Sequence, residues 1–226
     1  MSAPRLLETM RADEGRVSLL DRHLARLTDS AGALGYPLDP AAARALVASR
    51  GGEGTQALRL TLGPGGDLDL SARPLASAPF ETVWVDTEPL WEAGTWRCVY
   101  KTTARDHYAA RAARAREHGA DEAILTNLSG HVIEGTRTTV WAEIDGRLWT
   151  PPLAAGGLAG VMRAYLLDTR PEAGERTLTA GDLRVADALF LSNALRGWMP
   201  VRLVDAPNPG PAPGYIPPPR PDPSLT

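Results

Sequence analysis

One lysine, Lys101, stands among 24 basic residues, and the other 23 are arginine. A guanidinium serves surface charge and carboxylate pairing, but it does not release its proton near neutral pH. A lysine amine does, and it condenses with a carbonyl to give a Schiff base. Lys101 is therefore a candidate nucleophile, against the plain alternative of a surface lysine left over by composition. The natural carbonyl partner is pyridoxal phosphate, and that cofactor makes three further demands. It needs a carboxylate that keeps its ring nitrogen protonated, so that the ring can draw off electrons. It needs an anion cradle, a glycine-rich helix N-terminus plus an arginine. It needs a group that anchors the substrate. Glu134, in HVIEGT, ends a predicted strand and can point into a cleft. GGLAGVMR (156–163) leads into a helix whose amides at Val161 and Met162 can hold a phosphate. Arg26, in HLARL, lies on a predicted helix. Each also has a structural reading: a turn glutamate, an ordinary glycine loop, a solvent-facing arginine.

The elements that must position these residues follow from periodicity. RLLETMR (5–11) reads as a strand, then a turn at 13–15 and a short strand, VSLL. Asp21 can cap a helix running to about Leu34, with Leu24, Leu27, Ala31 and Leu34 at helical spacing. Pro40 opens a second helix. QALRLTL and DLDLSAR alternate around GPGG as a hairpin. ETVWVDT is a further strand. WRCVYK reads as a strand ending at Lys101, followed by an alanine-rich helix that closes at Gly119. DEAILTN, HVIEG, TTVWAEI and RLWT are strands, VMRAYLLDT a helix, AGDLRVA a helical turn, and ALFLSN and MPVRLV strands. The expected class is α+β in two lobes, residues 1–90 and 91–205, the larger second lobe carrying the lysine. Clefts between lobes favour binding. Residues 206–226 are rich in proline and poor in apolar groups, and read as disordered.

The rest of the sequence excludes other chemistries. The four histidines show no metal-ligand spacing and Cys98 is the single cysteine, so no metal site and no internal disulfide are expected. No G-x-S-x-G elbow occurs, and GPGG lacks the lysine of a phosphate-binding loop. A net charge of −3 without a basic stripe gives no sign of nucleic acid. No apolar run approaches a membrane span, no signal-peptide core opens the chain, and a reducing cytoplasm is expected.

The order HLARL, lysine followed by TT, DEAILTN..G.VIEGT, TPPL..GGLAGVMR and ADALFLSNALRGW resembles the class IV aminotransferase fold. This family holds branched-chain and D-amino-acid aminotransferases and aminodeoxychorismate lyase. The resemblance implies a cofactor in the interlobe cleft, with Lys101 as the Schiff-base lysine and Glu134 at the ring nitrogen. It puts Arg26 at the phosphate with the amides of Val161 and Met162. NALRGW (193–198) looks most like the lyases, especially the lyase-like portion of fused aminobenzoate synthases, and Thr9 matches a threonine they place near the reacting carbon. The implied reaction converts 4-amino-4-deoxychorismate to 4-aminobenzoate and pyruvate. Arg105, Arg196 and Asn193 are then the candidates for substrate binding. A homodimer and a synthase that supplies the substrate are the implied partners. Three departures stand out. Members usually carry one or two more strands before LLETMR, Thr139 replaces a usual asparagine, and Ala194 replaces the phosphate-binding threonine of the transaminases. A branched-chain or D-amino-acid aminotransferase is the competing reading, and a non-catalytic paralogue that binds a partner is a third.

Overall fold

The structure, a computed structural model, describes residues 3–50, 52–75, 78–204, 214 and 216–219. The fold mixes helices and sheets, as its class predicts. It separates into two compact units, one of Met1–Ser77, Tyr100–Ala104 and Pro218–Thr226, the other of Ala78–Val99 and Arg105–Pro217.

The first unit is an antiparallel four-stranded sheet. Its strands are β1 (Leu6–Asp13), β2 (Arg16–Val17), β3 (Thr55–Leu62) and β4 (Leu68–Pro74), in the order β2-β1-β3-β4. Alternation decides which face is buried: Leu6, Met10 and Ala12 with Leu58, Leu60 and Leu62 form a core with two helices. Helix α1 (Leu20–Leu34) contributes Leu24, Leu27 and Ala31, and α2 (Pro40–Ala48) contributes Ala43 and Val47. Gly35 ends α1 at φ 70°, and the amide of Tyr36 reaches back to the Ala31 carbonyl at 2.9 Å. The expected cap differs. Leu19, at φ 55°, precedes the helix without a side-chain cap, and Asp21 sits in the first turn paired with Arg44. Asp39 caps α2, accepting from the amides of Ala41 and Ala42. The strand expected at VSLL shrinks to β2, because the chain turns at Ser18 and Leu19 into α1.

The second unit is built on a curled eight-stranded mixed sheet. In chain order its strands are β5 (Thr82–Val85), β6 (Glu122–Thr126), β7 (Val132–Gly135), β8 (Thr139–Ile144), β9 (Arg147–Thr150), β10 (Ala173–Glu175), β11 (Ala188–Asn193) and β12 (Gly197–Leu203). Their order in space is β10-β9-β8-β11-β12-β5-β6-β7. The helices are α3 (Trp96–Val99), α4 (Asp106–Glu117), α5 (Val161–Thr169) and α6 (Ala180–Val185). Valines, leucines and Ile124 from both ends of the sheet fill one core. Trp84, Leu90, Cys98, Tyr108, Ala115 and Ile133 fill a second, between α4 and the β6–β7 edge.

Three expectations are corrected here. WRCVYK is not a strand: Cys98 and Val99 both bond back to the Thr95 carbonyl, making one helical turn that buries Cys98. Extended chain starts only after it, where Leu6 pairs with Thr102. The expected lobe boundary near residue 90 also moves. β5 pairs with β6 and β12, which takes residues from Ala78 into the second unit, while the Lys101 segment bonds to β1 and joins the first. Most of the tail expected to be disordered lies outside the described residues, yet Ile216 makes a two-bond antiparallel bridge to Trp198. Strand β10 carries no apolar alternation in AGE and escapes pattern reading.

Candidate active site

In the first unit, β1 places three residues of interest. The Leu7 amide donates to the Lys101 carbonyl at 2.8 Å, and the Thr103 amide donates to the Arg5 carbonyl at 2.9 Å. This register sets Lys101 opposite Leu7. Lys101 and Thr9 therefore share the face opposite the one that Leu6 and Met10 bury against the helices. Lys101 is half-buried.

Glu8 points to the helical side and is 1 % exposed. Arg26 grips it with two bonds, Nε to Oε1 at 2.8 Å and Nη2 to Oε2 at 2.6 Å. His23 Nδ1 donates to Glu8 Oε2 at 2.7 Å. Burial raises the Glu8 pKa, but Arg26 and His23 more than offset this and hold it at about 2. Burial pushes His23 down, so its ring is neutral; its Nε2 is buried without a hydrogen-bond partner. Arg26, expected at the cofactor phosphate, is thus oriented by a buried carboxylate. Neither Glu8 nor His23 was singled out in the sequence. The signal was available in H-L-A-R on one helix face opposite a glutamate at a core-facing strand position.

In the second unit, Glu134 lies at the end of β7 and is 9 % exposed. Tyr108 Oη donates to its Oε1 at 2.5 Å, and the Leu158 amide donates to its Oε2 at 3.1 Å. Gly157 lets this loop approach: a Cβ there would meet Ile133 Cγ2 at 2.9 Å and Glu134 Cδ at 3.4 Å. The same loop leads to α5, which opens at Val161 and Met162, both buried, with Gly160 supplying no side-chain cap. A nine-residue helix whose first turn is left without a side-chain cap suits an anion. So one short segment both donates to Glu134, from Leu158, and carries the predicted amide cradle at Val161 and Met162.

Arg105 precedes α4. Its Nη2 donates to the Thr136 carbonyl at 2.6 Å, and its guanidinium lies 4.4 Å from the centroid of the Tyr108 ring. Burial pushes the neighbouring Cys98 thiol up to about 11, so it stays protonated. Asn193 closes β11. Its Oδ1 accepts from the amides of Leu195 at 3.1 Å and Arg196 at 2.8 Å, which shapes the turn around Ala194. Arg196 donates to the Ala78 carbonyl and stacks 4.6 Å from the centroid of Phe80. Glu122, fully buried, gathers the turn that follows Glu134: it accepts from Thr136 Oγ1 at 2.5 Å and from the Arg137 amide at 3.1 Å. Among the described residues, no group of three or more His, Cys, Asp or Glu could hold a metal ion, and no helix is long and apolar enough to cross a membrane.

The family model of amino-transferase class IV matches residues 5–204. The branched-chain-amino-acid aminotransferase of Salmonella typhimurium is 34 % identical over 95 residues, 40 % of this chain and 31 % of that protein. The match therefore spans about a third of that relative. A crystal structure of a "Putative amino-acid aminotransferase" from Mesorhizobium loti superimposes with a TM-score of 0.80 at 36 % identity, over 89 % of this chain and all of that one. The 4-amino-4-deoxychorismate lyase of Pseudomonas aeruginosa does so with a TM-score of 0.74 at 29 % identity, over 89 % of this chain and 83 % of that one.

Proposed function

The chain belongs to the class IV aminotransferase family, and from that premise we propose that it is a lyase converting 4-amino-4-deoxychorismate to 4-aminobenzoate and pyruvate. The family depends on pyridoxal phosphate. The residues present fit that cofactor: a single amine at Lys101, an oriented carboxylate at Glu134, and a helix start at Val161 and Met162 with no side-chain cap. When bound, the cofactor supplies an aldehyde that condenses with amines and a ring that draws off electrons.

Each residue then has a task. Lys101 would hold the cofactor through its amine and, as a neutral amine, would act as general base toward the C4 proton of the substrate. Glu134 would pair with the ring nitrogen and keep its proton in place. Arg26 and the amides of Val161 and Met162 hold the phosphate. Thr9, on the same face as Lys101, stands by the reacting carbon. Arg105, Arg196 and Asn193 bind the two substrate carboxylates. The ring C–O bond would break with its electrons going to the oxygen, so that enolpyruvate leaves and becomes pyruvate on taking up a proton, and the aromatic ring left behind drives the reaction forward.

The observation that carries the lyase reading is the Asn193–Gly197 turn. It presents Ala194 where the resemblance to transaminases calls for a phosphate-binding hydroxyl, and it agrees with the lyase pattern there. The reading extends to a cytoplasmic homodimer fed by an aminodeoxychorismate synthase. An amino-acid aminotransferase is the second reading, supported by the Salmonella and Mesorhizobium relatives.

Two assays on one preparation separate them. Aminodeoxychorismate should yield 4-aminobenzoate, followed by its fluorescence, and branched-chain or D-amino acids with 2-oxoglutarate should yield no glutamate. Glutamate without 4-aminobenzoate would reverse the assignment. Lys101→Arg should abolish turnover in whichever assay responds, because a guanidinium does not condense with an aldehyde.

A further inference from the structure

The phenol of Tyr108 has no task in that scheme, although it bonds directly to the Glu134 carboxylate. It is the third residue of α4 and is 4 % exposed. Its hydroxyl donates to Glu134 Oε1 at 2.5 Å, while the Leu158 amide takes Oε2 at 3.1 Å. These two donors, one on each oxygen, fix the plane of the carboxylate. We propose that Tyr108 is a positioning residue, which holds the Glu134 carboxylate turned for the ring nitrogen of the cofactor.

The choice of a phenol has a physical sense. An arginine in its place would neutralise Glu134 and weaken its hold on a protonated ring nitrogen. A phenol stabilises the anion through a hydrogen bond and adds no charge. Burial and the charge of Glu134 push the Tyr108 pKa well above its usual value, so the group remains a donor. The ring itself is clamped. The Arg105 guanidinium lies 4.4 Å from its centroid while bonded to the Thr136 carbonyl, and the His107 ring lies 4.1 Å away on its own centroid. Without the hydroxyl, Oε1 loses the donor that fixes its direction, and a carboxylate turned away from the ring nitrogen holds that nitrogen's proton less firmly.

This inference rests on the reading of Glu134 given above, and the test separates the two. Parent protein, Tyr108→Phe and Glu134→Gln are loaded with pyridoxal phosphate labelled with 15N in the ring, and the ring-nitrogen shift is followed against pH. Affinity of the cofactor-free proteins for pyridoxal phosphate is measured alongside. In Tyr108→Phe the ring nitrogen should lose its proton about one pH unit lower, with affinity reduced about tenfold. 3-Fluorotyrosine at position 108 keeps ring and hydroxyl and should restore the parent titration. A Tyr108→Phe titration that coincides with the parent's, while Glu134→Gln shifts, overturns the role of Tyr108 alone. If Glu134→Gln also coincides, the assignment of Glu134 fails with it. Should the phenylalanine variant not fold, 13Cζ-labelled tyrosine in the parent protein gives the answer: the Tyr108 signal should move when the cofactor binds, and a signal that stays still overturns the proposal.

Discussion

The buried trio Glu8, His23 and Arg26 gives the first unit a defined acid response. Glu8 is held at about 2 against a usual 4.5, and a depressed carboxylate contributes stability above its unfolded pKa that is lost as pH falls toward its folded one. A shift of that size corresponds to about 3 kcal/mol. His23 is depressed from its usual 6.5 by burial, so the unfolded chain takes up its proton first and stability falls in the same direction. Urea unfolding followed against pH should therefore show stability declining gently below pH 6.5, then more steeply between 4.5 and about 2. Glu8→Gln should unfold more easily at pH 7 and lose the steep part of that decline. A variant that keeps the parent's full acid response would show that Glu8 is not the group responsible. At this scale the sequence offered Lys101 by residue type, and Glu134 and Arg26 as candidates to which the family resemblance gave roles. It passed over Glu8 and favoured a core or surface role for Tyr108 over an approach to the cofactor, because what each residue touches lies 18 and 26 positions away along the chain.

Elements with a period were readable, and elements held by a single contact were not. Helix α1 showed itself by Leu24, Leu27 and Ala31, and the β3–β4 hairpin by alternation around its turn. The segment 96–101 misled because Trp96, Cys98 and Tyr100 alternate as in a strand, while the structure spends four of these residues on a helical turn. The turn joining β7 to β8 was equally opaque, since its order comes from one buried acid. Glu122 Oε1 accepts from the amides of Ala123 and Thr136 and from Thr136 Oγ1, and Oε2 accepts from the Arg137 amide and Thr138 Oγ1. Burial still pushes its pKa up. Glu122→Gln keeps the three bonds of one oxygen but turns an NH2 group toward the Arg137 amide, leaving a buried donor facing a donor. It should cost about 1–3 kcal/mol in chemical denaturation at neutral pH. A variant as stable as the parent would mean that Glu122 is already protonated in the folded state and donates a bond itself.

For the chain as a whole, the class and the presence of two units were legible from the order of elements, whereas their membership was not. Pairing decides it: β5 follows a proline-marked gap yet belongs to the second sheet through β6 and β12, and the segment around Lys101 belongs to the first through β1. No local pattern reports a partner that is distant in sequence. The C-terminal tail teaches the same lesson. Its composition argues against a fold, but Ile216 forms a bridge with Trp198, the two amides and carbonyls exchanging bonds at 2.7 and 3.0 Å. Trp198 is 2 % exposed, packed with its ring 4.4 Å from that of Phe190. Its backbone bonds to Ile216 are therefore made at the margin of a core. A chain truncated after Val204 leaves the Trp198 amide and carbonyl without these partners. The loss should be about 1–2 kcal/mol for the pair of bonds, since water replaces them only in part. Hydrogen exchange is the sharper measurement. In the full chain the Trp198 amide should exchange far more slowly than an exposed amide, and in the truncated chain its protection should drop while that of Leu189 and Leu191, deep in β11, stays unchanged. Equal protection of Trp198 in both proteins would show that the tail contributes nothing to the second unit, and that composition had described it correctly.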